Sequence, residues 1–124
     1  LGDVYKRQGN PLACAAALAS LKVITGKGVL KNTLEIGAYF IERLQELKQE
    51  NPIVKNVRGK GLILAVELKK PGGEVVVECM ENGFLINCIR QNVLRFLPPL
   101  SVTRKDINSL MPVLQKSLIR LSTK

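Results

Sequence analysis

The chain has 124 residues, of which 46% are hydrophobic and 23% are charged, enough for one modest globular domain with a core. It contains no histidine, which excludes His-based catalytic triads and histidine metal sites within it, and no apolar run approaches the roughly 20 residues of a membrane span. The net charge of +9 is spread along the chain, and aromatic residues make up only 4%, which argues against nucleic-acid binding by base stacking. We therefore expect a solvated basic surface, with neither nucleic acid nor membrane as a partner.

The three cysteines, Cys14, Cys79 and Cys88, are odd in number and have no paired spacing. The first residues also lack the apolar core of a secretory signal. We therefore expect reduced thiols, a cytoplasmic location and no zinc site. Because the chain starts with Leu1 rather than methionine, we also expect it to be a fragment of a longer protein.

The first predicted helix follows a segment that does not resemble it. Residues 1–8 are polar and basic, and we interpret them as a non-native or misassembled junction. Asn10 and Pro11 then form a helix start, since asparagine caps helices and proline suits the first helical position. The run from Leu12 to Ile24 is small and apolar nearly all round, which predicts burial between two bodies. Residues 9–27 are therefore interpreted as a connecting helix from a missing large domain, although a core helix is the alternative.

A second domain is predicted over residues 28–124, and its first element is a helix over Val29–Lys48. The apolar residues of this helix recur at helical spacing and predict one buried stripe. The stripe consists of Leu30, Leu34, Gly37, Phe40, Ile41, Leu44 and Leu47.

Two strands should follow. The first covers Ile53–Val57 and the second Leu62–Leu68, where apolar side chains alternate between faces. The glycine turn between them, Arg58–Gly61, lacks the spacing of a phosphate-binding loop, so we interpret it as a strand connection.

The second half of the domain should contain a helix, two strands and a final helix. A short helix over Glu74–Glu81 precedes strands Phe84–Asn87 and Val93–Leu97, which a polar turn connects. The last helix should begin at a capping pair, Thr103 with Asp106, and Pro112 should bend or split it. The pattern predicts an α+β fold with a small, largely antiparallel sheet covered by helices.

Arg95 is the most informative residue in this pattern. It lies in the middle of an apolar strand-like run that Pro98 and Pro99 close. A buried arginine is costly unless an anion meets it. Either Arg95 reaches solvent, or it binds a carboxylate or a phosphate.

Three stretches resemble a known family: Gly9–Ala17, Val57–Leu68, and Gly83–Cys88 followed by Asn92–Leu100. Together they are similar to the C-terminal part of the class III, fold-type I, pyridoxal-phosphate-dependent aminotransferases, and the likeness runs from Gly9 to about Leu121. The resemblance implies that residues 28–124 are the C-terminal small domain of such an enzyme. The third stretch is most similar to the acetylornithine-type members.

The resemblance also implies a reaction and one site residue. In the family, the arginine of the Leu-Arg-Phe-x-Pro motif binds the α-carboxylate of the amino-acid substrate, and here that arginine is Arg95. The implied reaction transfers the terminal amino group of N2-acetyl-L-ornithine to 2-oxoglutarate through pyridoxal 5'-phosphate (PLP), in arginine biosynthesis. Ornithine, succinylornithine and 4-aminobutyrate aminotransferases are alternatives. The full-length enzyme would be a homodimer, and this chain would be inactive alone.

The sequence departs from the family pattern at its start. The family's Schiff-base lysine lies upstream in the large domain, so no lysine here is assigned that role. Lys6 occupies the place of a threonine that binds the cofactor phosphate, which leaves the cofactor-binding residues open. The rival hypothesis is a free-standing basic α+β binding module. It requires residues 12–24 to pack within the domain and the positive charge to cluster on one face.

Overall fold

The computed structural model describes residues 8–26 and 28–123; Lys6 and the rest of the predicted junction before Gln8 lie outside the described residues. The chain divides into two compact units, residues 1–31 and residues 32–124. The elements in chain order are α1 (Pro11–Gly26), α2 (Val29–Glu50), β1 (Val54–Lys60), β2 (Ile63–Leu68), α3 (Gly73–Glu81), β3 (Asn87–Ile89), β4 (Val93–Phe96) and α4 (Arg104–Ser122).

The first helix, α1, begins where the sequence predicts. The Asn10 side-chain oxygen accepts hydrogen bonds from the backbone N–H groups of Leu12 (2.9 Å) and Ala13 (3.3 Å), which satisfies two donors that a helix start leaves open. No residue of α1 is buried, and Leu12 is 80% exposed.

Helix α2 buries a face centred on Ile36, Phe40, Leu44 and Leu47. The predicted stripe is wrong in its first turns, because Leu34 is 69% exposed. At about 100° per residue, Leu34 falls on the flank of the face that Phe40 and Leu44 define. The contact with the sheet, rather than the apolar count, decides which face is buried.

The four strands form one antiparallel sheet in the order β1-β2-β4-β3, which confirms the predicted α+β class. The first strand is longer than predicted and runs to Lys60, so the turn lies at Gly61 and Leu62. Gly61 adopts a φ of 56°, in the left-handed region that favours glycine.

The predicted strand Phe84–Asn87 is wrong over its first three residues, because β3 begins only at Asn87. The backbone N–H of Phe84 instead donates to the carbonyl of Cys79, 2.8 Å away, at the end of α3. Phe84 and Ile86 pack against the core as partly buried side chains. Their apolar character therefore reflects loop packing rather than strand pairing.

The core lies between one face of the sheet and helices α2, α3 and α4. Leu64, Val66 and Leu68 of β2 are buried, which confirms the predicted alternation. Phe96 of β4 meets Phe40 of α2 edge to face, with ring centroids 5.4 Å apart. The opposite face of the sheet stays outside this core.

The last helix, α4, begins with the predicted capping pair. The backbone N–H of Thr103 donates to Asp106, and the backbone N–H of Asp106 donates to the Thr103 hydroxyl oxygen. The Thr103 hydroxyl also donates to Oδ2 of Asp106, 2.7 Å away. This hydrogen bond, and then the one from the Thr103 backbone N–H, hold the pKa of the Asp106 carboxyl below its usual value. The helix is not split at Pro112 but runs through it as one element. Pro112 and Asn108 are both exposed, so water can reach the carbonyl that the missing N–H of the proline leaves unpaired.

Among the described residues, no single helix is both long and apolar enough to cross a membrane. Helices α1 and α2 meet the criteria of length and composition only when they are counted together as one span with a break between them.

The three cysteines are free thiols, and Cys79 of α3 should be the least reactive. Burial, and to a smaller extent the charge of Glu78, raises the pKa of its thiol to about 11. Because the thiolate is the nucleophile, we expect Cys79 to resist iodoacetamide at pH 8 in the native protein and to react on unfolding. Cys88 is half-buried and should react faster. Peptide mass spectrometry over a time course measures both rates, and equal native rates would contradict the packing of α3.

Candidate functional site

Four side chains form a transverse row across the sheet on the face away from the core. Arg58 on β1 pairs with Ala65 on β2, Ala65 pairs with Arg95 on β4, and Arg95 pairs with Asn87 on β3. Directly opposite residues of antiparallel strands point to the same face. We call this set, Arg58, Ala65, Arg95 and Asn87, the arginine row.

Strand β4 places Arg95 on the outer face by simple alternation. Leu94 and Phe96 are 1% and 3% exposed and point into the core, so Arg95 between them points outward. The side chain is half-buried. Thus an arginine inside an apolar run avoids the core because of its position in the strand.

The guanidinium of Arg95 has a neutral partner. Its Nε donates a hydrogen bond to Oδ1 of Asn87 at 3.1 Å. None of the ion pairs within residues 8–26 and 28–123 involves Arg95. Its positive charge therefore has no carboxylate partner in the described part of the chain.

The other arginine of the row differs in this respect. Nη1 of Arg58 lies 3.0 Å from a carboxylate oxygen of Glu67, and Nζ of Lys55 lies 2.7 Å from the other oxygen. Hydrogen bonds from Lys55 and then Arg58 hold the pKa of Glu67 below its usual value. Arg58 is thus already paired with an anion, whereas Arg95 remains available to an external one.

A shallow cavity of about 240 Å³ adjoins Arg95, and its lining consists of Leu85, Ile86, Asn87, Arg95 and Leu97. Leu85 is 88% exposed. The volume is below the roughly 300–1,000 Å³ of a complete small-molecule site. A cationic fork beside an open apolar rim can hold a carboxylate, but it encloses only part of a ligand.

Two larger cavities do not include the arginine row, although one of them shares Leu85, Ile86 and Leu97 with the cavity beside Arg95. One of about 520 Å³ lies between α2 and α4, beside Tyr39 and Pro112, and one of about 430 Å³ is lined mainly by apolar side chains such as Phe40 and Phe84. We place the candidate site at Arg95 because a positive charge without a carboxylate partner indicates an anionic ligand. The volume of a cavity does not by itself indicate the chemistry of its ligand.

The β3–β4 turn fixes the register that brings Asn87 to Arg95. Arg90 and Gln91 both adopt left-handed backbone conformations, with φ of 50° and 64°, which are uncommon outside glycine. The carbonyl of Gln91 accepts a hydrogen bond from the backbone N–H of Gly72 at 2.8 Å, and Nδ2 of Asn92 donates to the carbonyl of Leu68 at 2.9 Å. Hydrogen bonds to the end of β2 and to the segment that follows it thus hold the turn in this shape.

Of the two residues that the sequence singled out, Arg95 belongs to this site and Lys6 lies outside the described residues. Asn87 was not singled out, because the predicted polar turn before Val93 did not reveal the register of the two strands that it connects. The described residues contain no cluster of three or more metal-ligating side chains.

Comparisons with known proteins identify the family. The model of the family "Aminotransferase class-III" matches residues 5–118. The acetylornithine aminotransferase of Methanosarcina acetivorans is 45% identical over 109 residues, covering 88% of this chain and 27% of the relative. The ornithine aminotransferase of Brevibacillus brevis is 38% identical over 100 residues, covering 81% of this chain and 25% of the relative.

A solved structure agrees with the sequence relatives. The acetylornithine aminotransferase of Elizabethkingia anophelis superimposes with a TM-score of 0.81 at 26% identity, covering 89% of this chain and 30% of that one. The chain therefore belongs to the class III aminotransferases, a family of PLP-dependent enzymes. It spans about a quarter of the length of the curated relatives it matches.

Proposed function

We propose that the full-length protein containing this chain transfers the terminal amino group of N2-acetyl-L-ornithine to 2-oxoglutarate, in arginine biosynthesis. Arg95 is the observation that carries the proposal, because its guanidinium lies on an open sheet face without a carboxylate partner among the described residues. Amino-acid and 2-oxo-acid substrates both carry the carboxylate that such a group binds. The similarity to the acetylornithine aminotransferase of Methanosarcina acetivorans supports this choice of donor.

In this proposal, Arg95 anchors the substrate carboxylate. The planar guanidinium can grip a carboxylate through two parallel hydrogen bonds, which fixes orientation as well as position. N2-Acetylornithine presents its terminal amine for transfer, so its α-carboxylate lies at the far end of the molecule. Holding that end would align the amine with the reacting centre and lower the entropic part of the barrier.

The described residues do not by themselves form a PLP site. The cavity beside Arg95 is lined by no lysine, and Lys6, which stands at the family's phosphate-binding position, lies outside the described part of the chain. When bound, PLP supplies the electron sink for the reaction. We place the lysine that links PLP, and the phosphate contacts, in the remainder of the full-length protein, which we propose to be a cytoplasmic homodimer.

Ornithine is the second candidate donor, and the similarity to the Brevibacillus brevis ornithine aminotransferase favours it. It differs from N2-acetylornithine by a free α-amino group. Discrimination between them requires contacts near that group, which the described residues do not assign.

The family match and the structure weigh against a free-standing basic binding module. That hypothesis also required the positive charge to cluster on one face of the domain. Instead, four basic side chains are paired with glutamates on a neighbouring element: Lys55 and Arg58 with Glu67, and Lys116 and Arg120 with Glu78.

Steady-state assays of the full-length, PLP-loaded protein test the proposal. With 2-oxoglutarate as acceptor, we expect glutamate formation from N2-acetylornithine with a higher kcat/KM than from ornithine. A preference for ornithine would select the second candidate. No transfer from either donor, in a protein that binds PLP and is dimeric by light scattering, would refute both.

A further inference from the structure

Asn87 is the only hydrogen-bond partner that the described residues provide for the Arg95 side chain. The two residues are directly opposite on β3 and β4, and Nε of Arg95 lies 3.1 Å from Oδ1 of Asn87. Because both lie on the outer face of the sheet, this contact is formed beside the cavity and not within the core.

The chemistry of this contact suits an anion site. A guanidinium has five N–H donors in one plane. When Nε is held from one side, the two terminal nitrogens remain free for a carboxylate, and the plane of the group is fixed. An amide oxygen also holds the group without neutralising its charge, whereas a carboxylate at this position would compete with the ligand.

The backbone supports the same arrangement. The left-handed conformations of Arg90 and Gln91, together with the hydrogen bond from Gly72 to Gln91, set the register of the β3–β4 pair. A shift of one residue in that register would move Asn87 to the other face. The turn thus places the side-chain amide of Asn87 on the same face as Arg95.

We propose that Asn87 is a positioning residue, which orients the Arg95 guanidinium so that its terminal nitrogens face the substrate carboxylate; this inference rests on the proposed function. The preorganisation reduces the conformational freedom that Arg95 would otherwise lose on binding. Asn87 itself does not touch the reacting atoms.

The test uses the full-length, PLP-loaded protein and glutarate, a dicarboxylate that cannot accept an amino group. We expect Asn87→Ala to weaken the calorimetric affinity for glutarate about 10-fold, since a hydrogen bond to a charged group is lost. The KM for N2-acetylornithine should rise by a similar factor while kcat stays within about twofold. Asn87→Asp should weaken glutarate binding at least as much, because its carboxylate would pair with Arg95.

Asn56→Ala is the matched control. Asn56 is an exposed asparagine of β1, opposite Glu67, and we expect its removal to leave glutarate affinity unchanged. Thermal unfolding of each variant separates binding from folding.

The outcomes separate this proposal from the proposed function. If Asn87→Ala and Asn87→Asp both bind glutarate like the wild type while Arg95→Ala does not, the positioning role is overturned and the anchor role stands. If Arg95→Ala also binds glutarate normally, the anchor role fails as well. If Asn87→Ala weakens glutarate binding but Asn87→Asp binds glutarate like the wild type, a carboxylate at position 87 does not compete with the ligand for Arg95. That result would overturn the argument that the side chain at this position must be uncharged.

Discussion

Arg95→Ala in the full-length protein is expected to lower kcat/KM for N2-acetylornithine by about 30- to 1,000-fold, equivalent to about 2–4 kcal/mol for a lost charged contact. Alanine removes the guanidinium that we propose as the carboxylate anchor, and no ion pair of the described residues depends on it. The fold should therefore be retained. Steady-state kinetics with both substrates varied measure the effect.

Two further variants separate an oriented anchor from a general positive field. Arg95→Lys keeps the charge but not the planar fork, so we expect a loss smaller than that of alanine but still clear. Arg58→Ala removes a charge from the same row, but one that is already paired with Glu67, and kcat/KM should change by less than about threefold, as for exposed ion pairs. Wild-type kinetics in Arg95→Ala would refute the anchor role. Equal losses in Arg95→Ala and Arg58→Ala would indicate a field effect instead.

Local signals predicted the helix starts. Asn10 caps α1, and the Thr103–Asp106 pair begins α4, because a cap depends only on residues within one turn. The alternation of β2 was predictable for the same reason, since each side chain's face follows from its position along the strand.

Long-range contacts explain the errors. Phe84 and Ile86 have the composition of a strand, yet they pack beside the end of α3 and leave Asn87 to begin β3. Leu34 fits the helical period but lies outside the contact with the sheet. In each case the apolar residue type was read correctly, but whether and where the side chain packs depends on other parts of the chain.

The candidate site was predictable only in part for the same reason. Arg95 was visible because a charge in an apolar run is unusual. Its partner Asn87 was not, because their pairing depends on the left-handed turn at Arg90 and Gln91. Neither residue is of a type that the left-handed region strongly favours, so no sequence signal marked the turn geometry.

The β1–β2 connection predicts a second large effect, this time on stability. Gly37 of α2 lies against the turn at Gly61, and a Cβ added at Gly37 would be 2.3 Å from the carbonyl oxygen of Gly61. That oxygen belongs to the backbone and cannot rotate away. Gly37→Ala would therefore separate the helix from the hairpin that carries Arg58.

We expect Gly37→Ala to destabilise the protein by about 2 kcal/mol or more. Overpacking typically costs about 1–3 kcal/mol, and a clash with backbone lies at the upper end. Alanine would recover only about 1 kcal/mol through its higher helix propensity. A fall of several degrees in the midpoint of thermal unfolding, followed by circular dichroism of the full-length protein, measures this loss.

Gly73→Ala supplies the control that makes the Gly37 result interpretable. Gly73 is also a helical glycine, the first residue of α3, but a Cβ added there would meet nothing within 4 Å. Alanine at this position should leave the unfolding midpoint unchanged or raise it slightly, since it reduces the entropy of the unfolded chain. If Gly37→Ala behaved like Gly73→Ala, α2 could not lie against Gly61 as it does here. The contact between α2 and the β1–β2 turn would then be wrong. The support of the arginine row would be wrong with it, because β1 and β2 extend from this turn.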